Sequence, residues 1–516
     1  MTKTILFLAL LQLHPSAWAA AVDRENPPQP DPEVVWSIPK IYRHTLDNGL
    51  KIFLIPDPKI PLATVNFFLR GRGYFHDPRG KEGLAALTSE LVRRGTKTKT
   101  GPEIALEAQS LGRFGSEATP LNLSVGVKVV ARKLEEGIAF LADVVRHSTF
   151  PKKEFELEQK AMLQKEENAK SSSEELADRQ FARLVYGKDG EMSRVPTKAS
   201  LKSLSRQDVA AYYAQATPAD AELFIVGDVD VEKAAAWAAK HFGSWSGKNL
   251  RPSVGSPKST IRLTKPEGQS IHFVPRPHSA QSEIRIGHAG IPRNHPDYYA
   301  VTVMNFILGG DELVSRLAFL RVEKKWSYGT VSRFSAGKNT GHFAIMTSVQ
   351  NNATSHSVRA LILELARFRN LPGNIRQNEV NEAKTALEGR FLFRTEKSGG
   401  WVDQDDFMGK GGLGSFVAEA RHLGLGEDEV YEYQKKIRAV TLSQVEEAAQ
   451  KYLDPANLYV IVIGDPGARE LILDEQGKPV LDGEGRPVPG KTILEALREL
   501  APVTVYDADG NPVPAS

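Results

Sequence analysis

The stretch "IFLIPDPKIPLATVNF" (Ile52 to Phe67) decides the fold of this chain, because its pattern returns as "IHFVPRPHSAQSEIRI" (Ile271 to Ile286). Each copy reads as an apolar strand, a Pro-x-Pro turn and a second strand of alternating polarity. Pro56 and Pro58 of the first copy align without gaps with Pro275 and Pro277 of the second. The chain therefore contains an internal repeat.

A second pair of matching segments follows in the same order. "ADAELFIVGD" ends at Asp228 and "ANLYVIVIGD" ends at Asp465, and both read as a buried strand before Gly-Asp. An amphipathic helical pattern precedes each strand, at Arg206 to Tyr213 and at Ser443 to Tyr452. Two matches in the same order indicate a duplication rather than chance.

The duplication predicts two α+β units, each with a mainly antiparallel sheet backed by helices. We place the units at residues 42–247 and 261–466, joined by a linker at 248–260 that is rich in Gly, Ser and Pro. The remaining residues, 467–516, form a turn-rich tail in which Asp-x-x-Gly-x-Pro-Val occurs three times. Calcium loops require more carboxylates than this pattern supplies.

Composition indicates a soluble globular protein, with 41% hydrophobic and 25% charged residues. The net charge of +3 is small and the basic residues are scattered, so we expect no nucleic-acid partner. The chain has no cysteine, which excludes disulfides and a lipid-attachment cysteine. The fold must therefore depend on its hydrophobic core.

The N-terminus predicts a cleaved signal peptide over residues 1–20. Lys3 supplies a positive charge, Ile5 to Leu13 form an apolar run, and Ala17 to Ala19 fit a cleavage site. The run is too short to cross a bilayer, and no later stretch is long enough, so we expect no membrane span. The alternative for this run is a short buried helix. With a Pro-rich leader at 21–41, the sequence predicts a periplasmic or secreted protein.

The stretch "GLAALTSELVRRGT" (Gly83 to Thr96) predicts a helix. Leu84, Leu87 and Leu91 recur at helical spacing, and Gly95 is expected to end the helix.

Two long stretches resemble the insulinase (pitrilysin) family of zinc peptidases, in the form that pairs two subunits. They are "DPRGKEGLAALTSELVRRGT" (77–96) and "NFILGGDELVSRLAFLRVEKKWSYG" (305–329). Together with the duplication, the resemblance covers roughly residues 42–466. It implies a fold of two related units and an activity in peptide hydrolysis.

The resemblance also implies where a zinc site would lie. The family carries His-x-x-Glu-His on the helix after Gly-Leu-Ala, so that two imidazoles one turn apart bind Zn²⁺ and the Glu acts as general base. The three positions in this chain are Ala86, Ser89 and Glu90. Both histidines and the catalytic Glu are therefore replaced, and we expect no zinc cofactor in this chain.

The family's third ligand is a Glu, and Glu166 stands at the corresponding spacing. The surrounding "FELEQKAMLQKEE" favours an amphipathic helix with a solvated charged face, so we expect Glu166 to be an ordinary surface residue. Four histidines, His272, His278, His288 and His295, lie near one another in sequence. They lack the His-x-x-x-His spacing, which does not favour a metal site.

The second unit retains another feature of the family, an Arg and a Tyr seven residues apart. Arg321 and Tyr328 occupy these positions within "LRVEKKWSYG". The resemblance implies that both side chains face the zinc across a closed chamber and hydrogen-bond the substrate where negative charge develops. The alternative is that they only pack, as a helix-end Arg and a strand Tyr.

The leading hypothesis is that this chain is the zinc-free, Arg/Tyr-bearing subunit of an exported heterodimeric metallopeptidase. Its expected partners are a zinc-bearing insulinase-like subunit and a peptide or unfolded-protein substrate. The alternative is a catalytically inactive peptide-binding or scaffold protein with the same fold. A third possibility, an independent zinc peptidase with substitute ligands, is the least favoured.

Overall fold

The computed structural model describes residues 38–246, 263–370, 373–395, 412–474 and 476–514. From Pro39 onward the chain forms one compact unit. The signal peptide at 1–20, almost all of the leader at 21–41 and the linker at 248–260 lie outside the described residues. These three assignments stay predictions.

The first half builds a six-stranded sheet in the order β1-β2-β6-β3-β5-β4. Neighbouring strands pair antiparallel, except that β2 and β6 are parallel. The strands are β1 (Tyr42–Thr45), β2 (Lys51–Pro56), β3 (Leu62–Arg70), β4 (Gly112–Ala118), β5 (Asn122–Val130) and β6 (Ala221–Gly227).

The second half builds a sheet in the order β14-β7-β11-β8-β10-β9, and β12 and β13 form a separate pair. From β7 onward this order repeats the order β2-β6-β3-β5-β4 of the first sheet, including its single parallel pair. The predicted α+β duplication is therefore confirmed. The strands are β7 (Gln269–Pro275), β8 (Gln281–Gly290), β9 (Ser327–Ala336), β10 (Gly341–Gln350), β11 (Leu458–Gly464), β12 (Arg469–Leu471), β13 (Pro489–Thr492) and β14 (Val503–Val505).

Helices back both sheets. Those of the first half are α1 (Leu84–Val92), α2 (Gly101–Leu111), α3 (Leu134–His147), α4 (Lys152–Ala169), α5 (Ser173–Tyr186), α6 (Lys198–Ser203), α7 (Arg206–Ala214) and α8 (Val231–Phe242). Those of the second half are α9 (Tyr298–Gly309), α10 (Phe319–Val322), α11 (Thr354–Asn370), α12 (Gln377–Thr395), α13 (Leu413–His422), α14 (Glu429–Ala439), α15 (Leu442–Tyr452) and α16 (Ile493–Arg498). No helix within the described ranges is long and apolar enough to cross a membrane.

Side chains that alternate between the two faces of the strands form the core of the first half. Val65, Phe67 and Leu69 of β3 are buried on one face of the sheet, against the apolar sides of α1, α3 and α8. The ring of Phe67 stacks on that of Phe242 at the end of α8, with 5.9 Å between centroids. The second half has a matching core of its own.

One helix of each half lies on the sheet of the other. Phe181 and Val185 of α5 pack in a buried cluster with Ile461 and Ile463 of β11. In return, α13 of the second half packs on β6 of the first. Because helices cover both faces of these central strands, every residue of β6 and β11 is buried, which explains their unbroken apolar pattern.

A buried ion cluster fixes α13 on the first sheet. The Glu222 side chain is 1% exposed and accepts hydrogen bonds from Arg421 Nη2 at 2.8 Å and His422 Nε2 at 3.2 Å. Asn122 Nδ2 contacts the other ring nitrogen of His422 at 2.7 Å. Burial alone would raise the pKa of Glu222, but the hydrogen bonds and charges of His422 and Arg421 outweigh it and lower that pKa to about 2.

The tail contains the predicted turns. In each Asp-x-x-Gly segment the Asp side chain accepts hydrogen bonds from backbone N–H groups two and four residues further on, as Asp474 does from Gln476 and Lys478.

The sequence did not indicate that the tail also completes the second half. Strand β14 pairs with β7, and Ile493 of α16 is buried in the second core.

The predicted helix at 83–96 forms, but it ends earlier than expected. Helix α1 stops at Val92, three residues before Gly95. Gly95 instead makes an isolated β-bridge with Thr100, and the backbone has already left the helical path.

Replacing Glu222 tests the docking of α13. We expect Glu222→Gln to lower the free energy of unfolding by about 2 to 3 kcal/mol, because the charged hydrogen bonds to Arg421 and His422 are lost in a buried site. Equilibrium denaturant unfolding measures the effect. Glu135→Gln removes an exposed ion pair with Lys240 and serves as the control, with an expected change within about 0.5 kcal/mol. Equal effects of the two substitutions would contradict the buried cluster.

The loss of stability caused by Glu222→Gln should depend on pH. The folded-state pKa of Glu222 lies near 2, below its ordinary value of 4.5, so its contribution is fully present above pH 4.5 and is lost as the pH falls through about 2. The difference in stability between the native chain and Glu222→Gln should therefore shrink from pH 5 to pH 2. A constant difference across that range would contradict the assignment.

Candidate functional site

Helix α1 is held at its N-terminal end by a buried carboxylate. Asp77 accepts hydrogen bonds from the backbone N–H groups of Gly83 and Ala85, each at 2.8 Å. Burial raises the pKa of Asp77 to about 7, against the opposing effect of these two amides. Gly83 has φ of +102°, a backbone conformation that favours glycine. A Cβ at this position would also lie only 2.7 Å from Cδ2 of Leu201, so only glycine fits there. The helix that carries the motif positions is therefore firmly placed.

None of the three motif positions provides a zinc ligand set. The hydroxyl of Ser89 donates to the carbonyl of Ala86 at 2.8 Å, within its own helix. Glu90 forms an ion pair with Arg93 one turn further on. The hydroxyl of Ser116, on edge strand β4, donates to the backbone carbonyl of Ser89 at 2.6 Å. Each polar group at these positions is already engaged inside the chain.

The expectation that Glu166 lies on a solvated face is wrong. Glu166 is 5% exposed, and its two carboxylate oxygens accept hydrogen bonds from Arg179 Nη1 at 3.0 Å and Nη2 at 2.8 Å. Arg179 lies on α5, the helix that follows α4 in the chain. Its guanidinium supplies the charge that compensates the Glu166 carboxylate. The guanidinium binds in a bidentate manner and so occupies both oxygens that a metal would require.

The C-terminal tail covers this ion pair. The turn at 507–510, together with Glu166 and Arg179, lines a cavity of about 30 Å³. This volume is about that of one water molecule. Lys170 Nζ lies 2.6 Å from Asp509 Oδ1, and Arg183 donates to the carbonyl of Asp509. Gly510 has φ of +73°, and a Cβ there would overlap the Arg183 guanidinium.

The family's zinc therefore does not fit this chain. A cation already neutralises Glu166, and no group of three or more His, Cys, Asp or Glu side chains in the described part of the chain could hold a metal ion. Three of the four second-unit histidines have structural partners, and His295 Nδ1 accepts a hydrogen bond from the backbone N–H of Asp297 at 3.1 Å. His272 contacts Ser270 and Tyr506, and burial lowers its pKa to about 4. His288 contacts the carbonyl of Ala289 at 2.7 Å.

Arg321 and Tyr328 lie on neighbouring elements at one end of the second sheet. Arg321 is in α10, with its side chain 41% exposed and 3.9 Å from Glu312. Tyr328 is on β9, the edge strand, and is 81% exposed. No hydrogen bond joins the two side chains in the described structure. The exposure of Tyr328 is inconsistent with the alternative that this side chain only packs.

Sequence reasoning did not find Arg179. Its pairing with Glu166 joins two helices that are separate along the chain, so no spacing rule within one helix reveals it. The only available indication was chemical, because a carboxylate in a buried position requires a cationic or hydrogen-bonding partner.

Fold and site together define a duplicated α+β peptidase-like protein whose helix α1 carries no zinc ligand set at the three motif positions. Two family profiles agree with this class. "Insulinase (Peptidase family M16)" matches residues 52–191, and "Peptidase M16 inactive domain" matches residues 203–387. Together these matches span more than half of the chain. The chain belongs to the insulinase family, M16, a family of metallopeptidases.

Characterised and uncharacterised members of the family are similar to the chain over most of its length. A protein named as an uncharacterized zinc protease, YmxG of Bacillus subtilis, is 23% identical over 373 residues, covering 69% of this chain and 85% of the relative. The β subunit of the mitochondrial-processing peptidase of Saccharomyces cerevisiae is 22% identical over 377 residues, covering 70% of this chain and 80% of the subunit.

Solved structures share the fold. The crystal structure of a peptidase M16 inactive domain from Pseudomonas fluorescens aligns with a TM-score of 0.71 at 22% identity, covering 83% of this chain and 98% of that one. A protease from Helicobacter pylori aligns with a TM-score of 0.71 at 18% identity, covering 83% of this chain and all of the other. At these identities the likeness concerns the fold alone.

The Arg179–Glu166 pair can be tested by removing one partner and then both. We expect Arg179→Met to cost about 3 to 5 kcal/mol of unfolding free energy, because it leaves a buried carboxylate unpaired. The double variant Arg179→Met/Glu166→Leu should recover most of this loss, since a buried pair replaced by apolar side chains is often neutral. Denaturant unfolding of the three proteins measures the cycle. A double variant no more stable than Arg179→Met would contradict the interpretation.

Proposed function

We propose that this chain is the zinc-free subunit of an exported, two-subunit insulinase-family metallopeptidase. It binds the peptide or unfolded-protein substrate and stabilises the transition state, while a zinc-bearing partner subunit carries out hydrolysis. The observation that carries the proposal is the asymmetry of the chain. Arg179 and the tail close the region around Glu166, whereas Tyr328 in the other half is left almost wholly exposed.

Exposure of Tyr328 supports a role outside the chain. A tyrosine that is 81% exposed buries little apolar area in its own fold, so a bound peptide or a partner can cover it. Arg321 stands on the adjacent helix, and its guanidinium offers several N–H donors in a fixed planar arrangement. Two such donors beside a peptide carbonyl would favour the state in which that oxygen becomes negative.

Sheet edges provide the backbone contacts. Strands β4 and β9 are the last strands of their sheets among the described residues, so each presents backbone groups along one edge. A peptide can add to such an edge as a further strand, through hydrogen bonds that depend little on its sequence. This mode suits extended or unfolded substrates.

A partner is required because no group of residues in the described part of the chain could hold a metal ion. We place zinc in a second insulinase-like subunit with an intact His-x-x-Glu-His. The mitochondrial-processing peptidase relative is itself named as a β subunit, which supports an assembly of more than one chain.

Export is a separate part of the proposal. We expect the mature protein to begin near Ala20, after removal of a signal peptide, and to be found in the periplasm or the medium. N-terminal sequencing of the protein from fractionated native cells measures this. A mature N-terminus at Met1 in the cytoplasmic fraction would contradict export.

Removing the donor pair tests the catalytic contribution. We expect Arg321→Ala and Tyr328→Phe each to lower kcat/KM of the complex by about 100-fold, as loss of one transition-state donor does in other enzymes. Metal analysis of the same preparations should find zinc in the complex and none in this chain alone.

Matched substitutions separate this effect from general damage. Arg359→Ala removes an exposed arginine of α11, and Tyr42→Phe removes a hydroxyl from β1, and both should leave activity unchanged. Unchanged activity in Arg321→Ala and Tyr328→Phe complexes would favour the alternative, a peptide-binding or scaffold protein. Stoichiometric zinc in the isolated chain would contradict both functions.

A further inference from the structure

A cavity of about 200 Å³ lies between the end of the first sheet and the turn at 337–340 that joins β9 to β10. It is smaller than the 300 to 1,000 Å³ typical of ligand pockets, so it fits one chemical group rather than a whole molecule. Its polar lining consists largely of basic and hydrogen-bonding side chains, namely Arg70, Arg72, His76, Asn122, Lys338 and His422.

Arg72 is a buried cation without a carboxylate partner. Its side chain is 7% exposed, its hydrogen bond goes to the neutral amide oxygen of Gln215 at 3.3 Å, and its guanidinium lies 5.2 Å from the centre of the Tyr212 ring. No Asp or Glu oxygen in the described ranges comes within 4 Å of it. Burial lowers the pKa of Arg72. The carboxylate of Asp220 acts on Arg72 through its charge but makes no ion pair with it within 4 Å. Because buried charges in proteins are normally paired, this arginine lacks a directly bonded counter-ion.

His76 leaves a second polar group unsatisfied. Its Nδ1 is buried and has no hydrogen-bond partner in the described structure. Burial, with the nearby charges of Arg72 and Lys338, lowers the pKa of the His76 ring.

The charge of the lining is positive. Arg70 and Arg72 face one carboxylate, Asp220, which accepts a hydrogen bond from the Thr217 hydroxyl at 2.7 Å. Arg70 also lies 3.6 Å from Glu222, but Arg421 and His422 already neutralise that carboxylate. An anion in the cavity would therefore be attracted by more cations than it would be repelled by carboxylates.

We propose that this cavity binds one carboxylate of the peptide that the chain holds, either an acidic side chain or the C-terminal carboxylate. The inference rests on the proposed peptide-binding function. His76 directly precedes Asp77, the residue that holds the N-terminal end of α1, so the carboxylate would be fixed beside the helix of the degenerate site. Substrates with a free acidic group at this point would be preferred.

Fluorescence anisotropy with three matched dodecapeptides tests the proposal on the purified complex. The first carries one internal Glu and a free C-terminus, the second replaces that Glu by Gln, and the third has a C-terminal amide. We expect one of the two neutralised peptides to bind about tenfold more weakly, which identifies the source of the carboxylate. Arg72→Gln should bind all three alike, Arg72→Lys should recover part of the discrimination, and Lys97→Gln, an exposed control, should behave as the native chain.

Thermal melting in the presence of inorganic phosphate tests the cavity independently of any peptide. In phosphate-free buffer, Arg72→Gln should melt at or above the temperature of the native chain, because it removes an unpaired buried charge. Phosphate should raise the Tm of the native chain and leave that of Arg72→Gln unchanged. Lys338→Gln, in a surface turn, should halve the phosphate effect and provides a second variant if Arg72→Gln does not fold.

The outcomes separate this inference from the proposed function. If the complex binds all three peptides with equal affinity, the inference is wrong, even if phosphate still raises the Tm. The proposed peptide-binding function would be unaffected by that result. Absence of peptide binding by the complex would contradict both. A Tm of Arg72→Gln far below that of the native chain in phosphate-free buffer would show that Arg72 is paired within the fold, which would also overturn the inference.

Discussion

Helix α5 is the constraint on which the rest of the structure depends. Its apolar side packs Phe181 and Val185 against β11, and Asp178 binds Arg285 of β8 at 2.7 Å, so it joins the second sheet to the first half. The same helix carries Arg179, whose guanidinium occupies both oxygens of Glu166. The helix that holds the halves together thus also engages Glu166, the residue that the sequence resemblance places at the position of the family's third zinc ligand.

The C-terminal tail reinforces this arrangement. By pairing β14 with β7 it completes the second sheet, and the following turn brings Asp509 to Lys170 and Arg183 of the first half. Glu166 is consequently covered by the helix that follows it in the chain and by a turn of the C-terminal tail. Among the described residues, the exposed Tyr328 on its edge strand and the cationic cavity around Arg72 lie away from Glu166.

Local patterns in the sequence predicted the architecture well. The repeated strand, Pro-x-Pro and strand segments located β2 and β3 in the first sheet and β7 and β8 in the second, although β6 and β11 lie between the two strands of each repeat. The Gly-Asp endings located β6 and β11, because strand alternation and full burial leave periodic traces. Glu166 was misjudged because its partner lies on another helix, and its local charge pattern is typical of a solvated surface. Strand β14 was missed since three residues are too few to show alternation. The pairing state of Arg72 likewise depends on tertiary contacts that no local pattern records.

The central claim is that the half of the chain carrying Tyr328 faces the substrate, and photo-crosslinking tests it most directly. A photoreactive phenylalanine analogue would replace Tyr328 in one preparation and Tyr42, on β1, in another, each combined with the zinc-bearing partner and a labelled peptide. The account predicts that label is transferred to this chain from position 328 and not from position 42. Equal labelling at both positions, or none at position 328 while the complex hydrolyses the peptide, would contradict it.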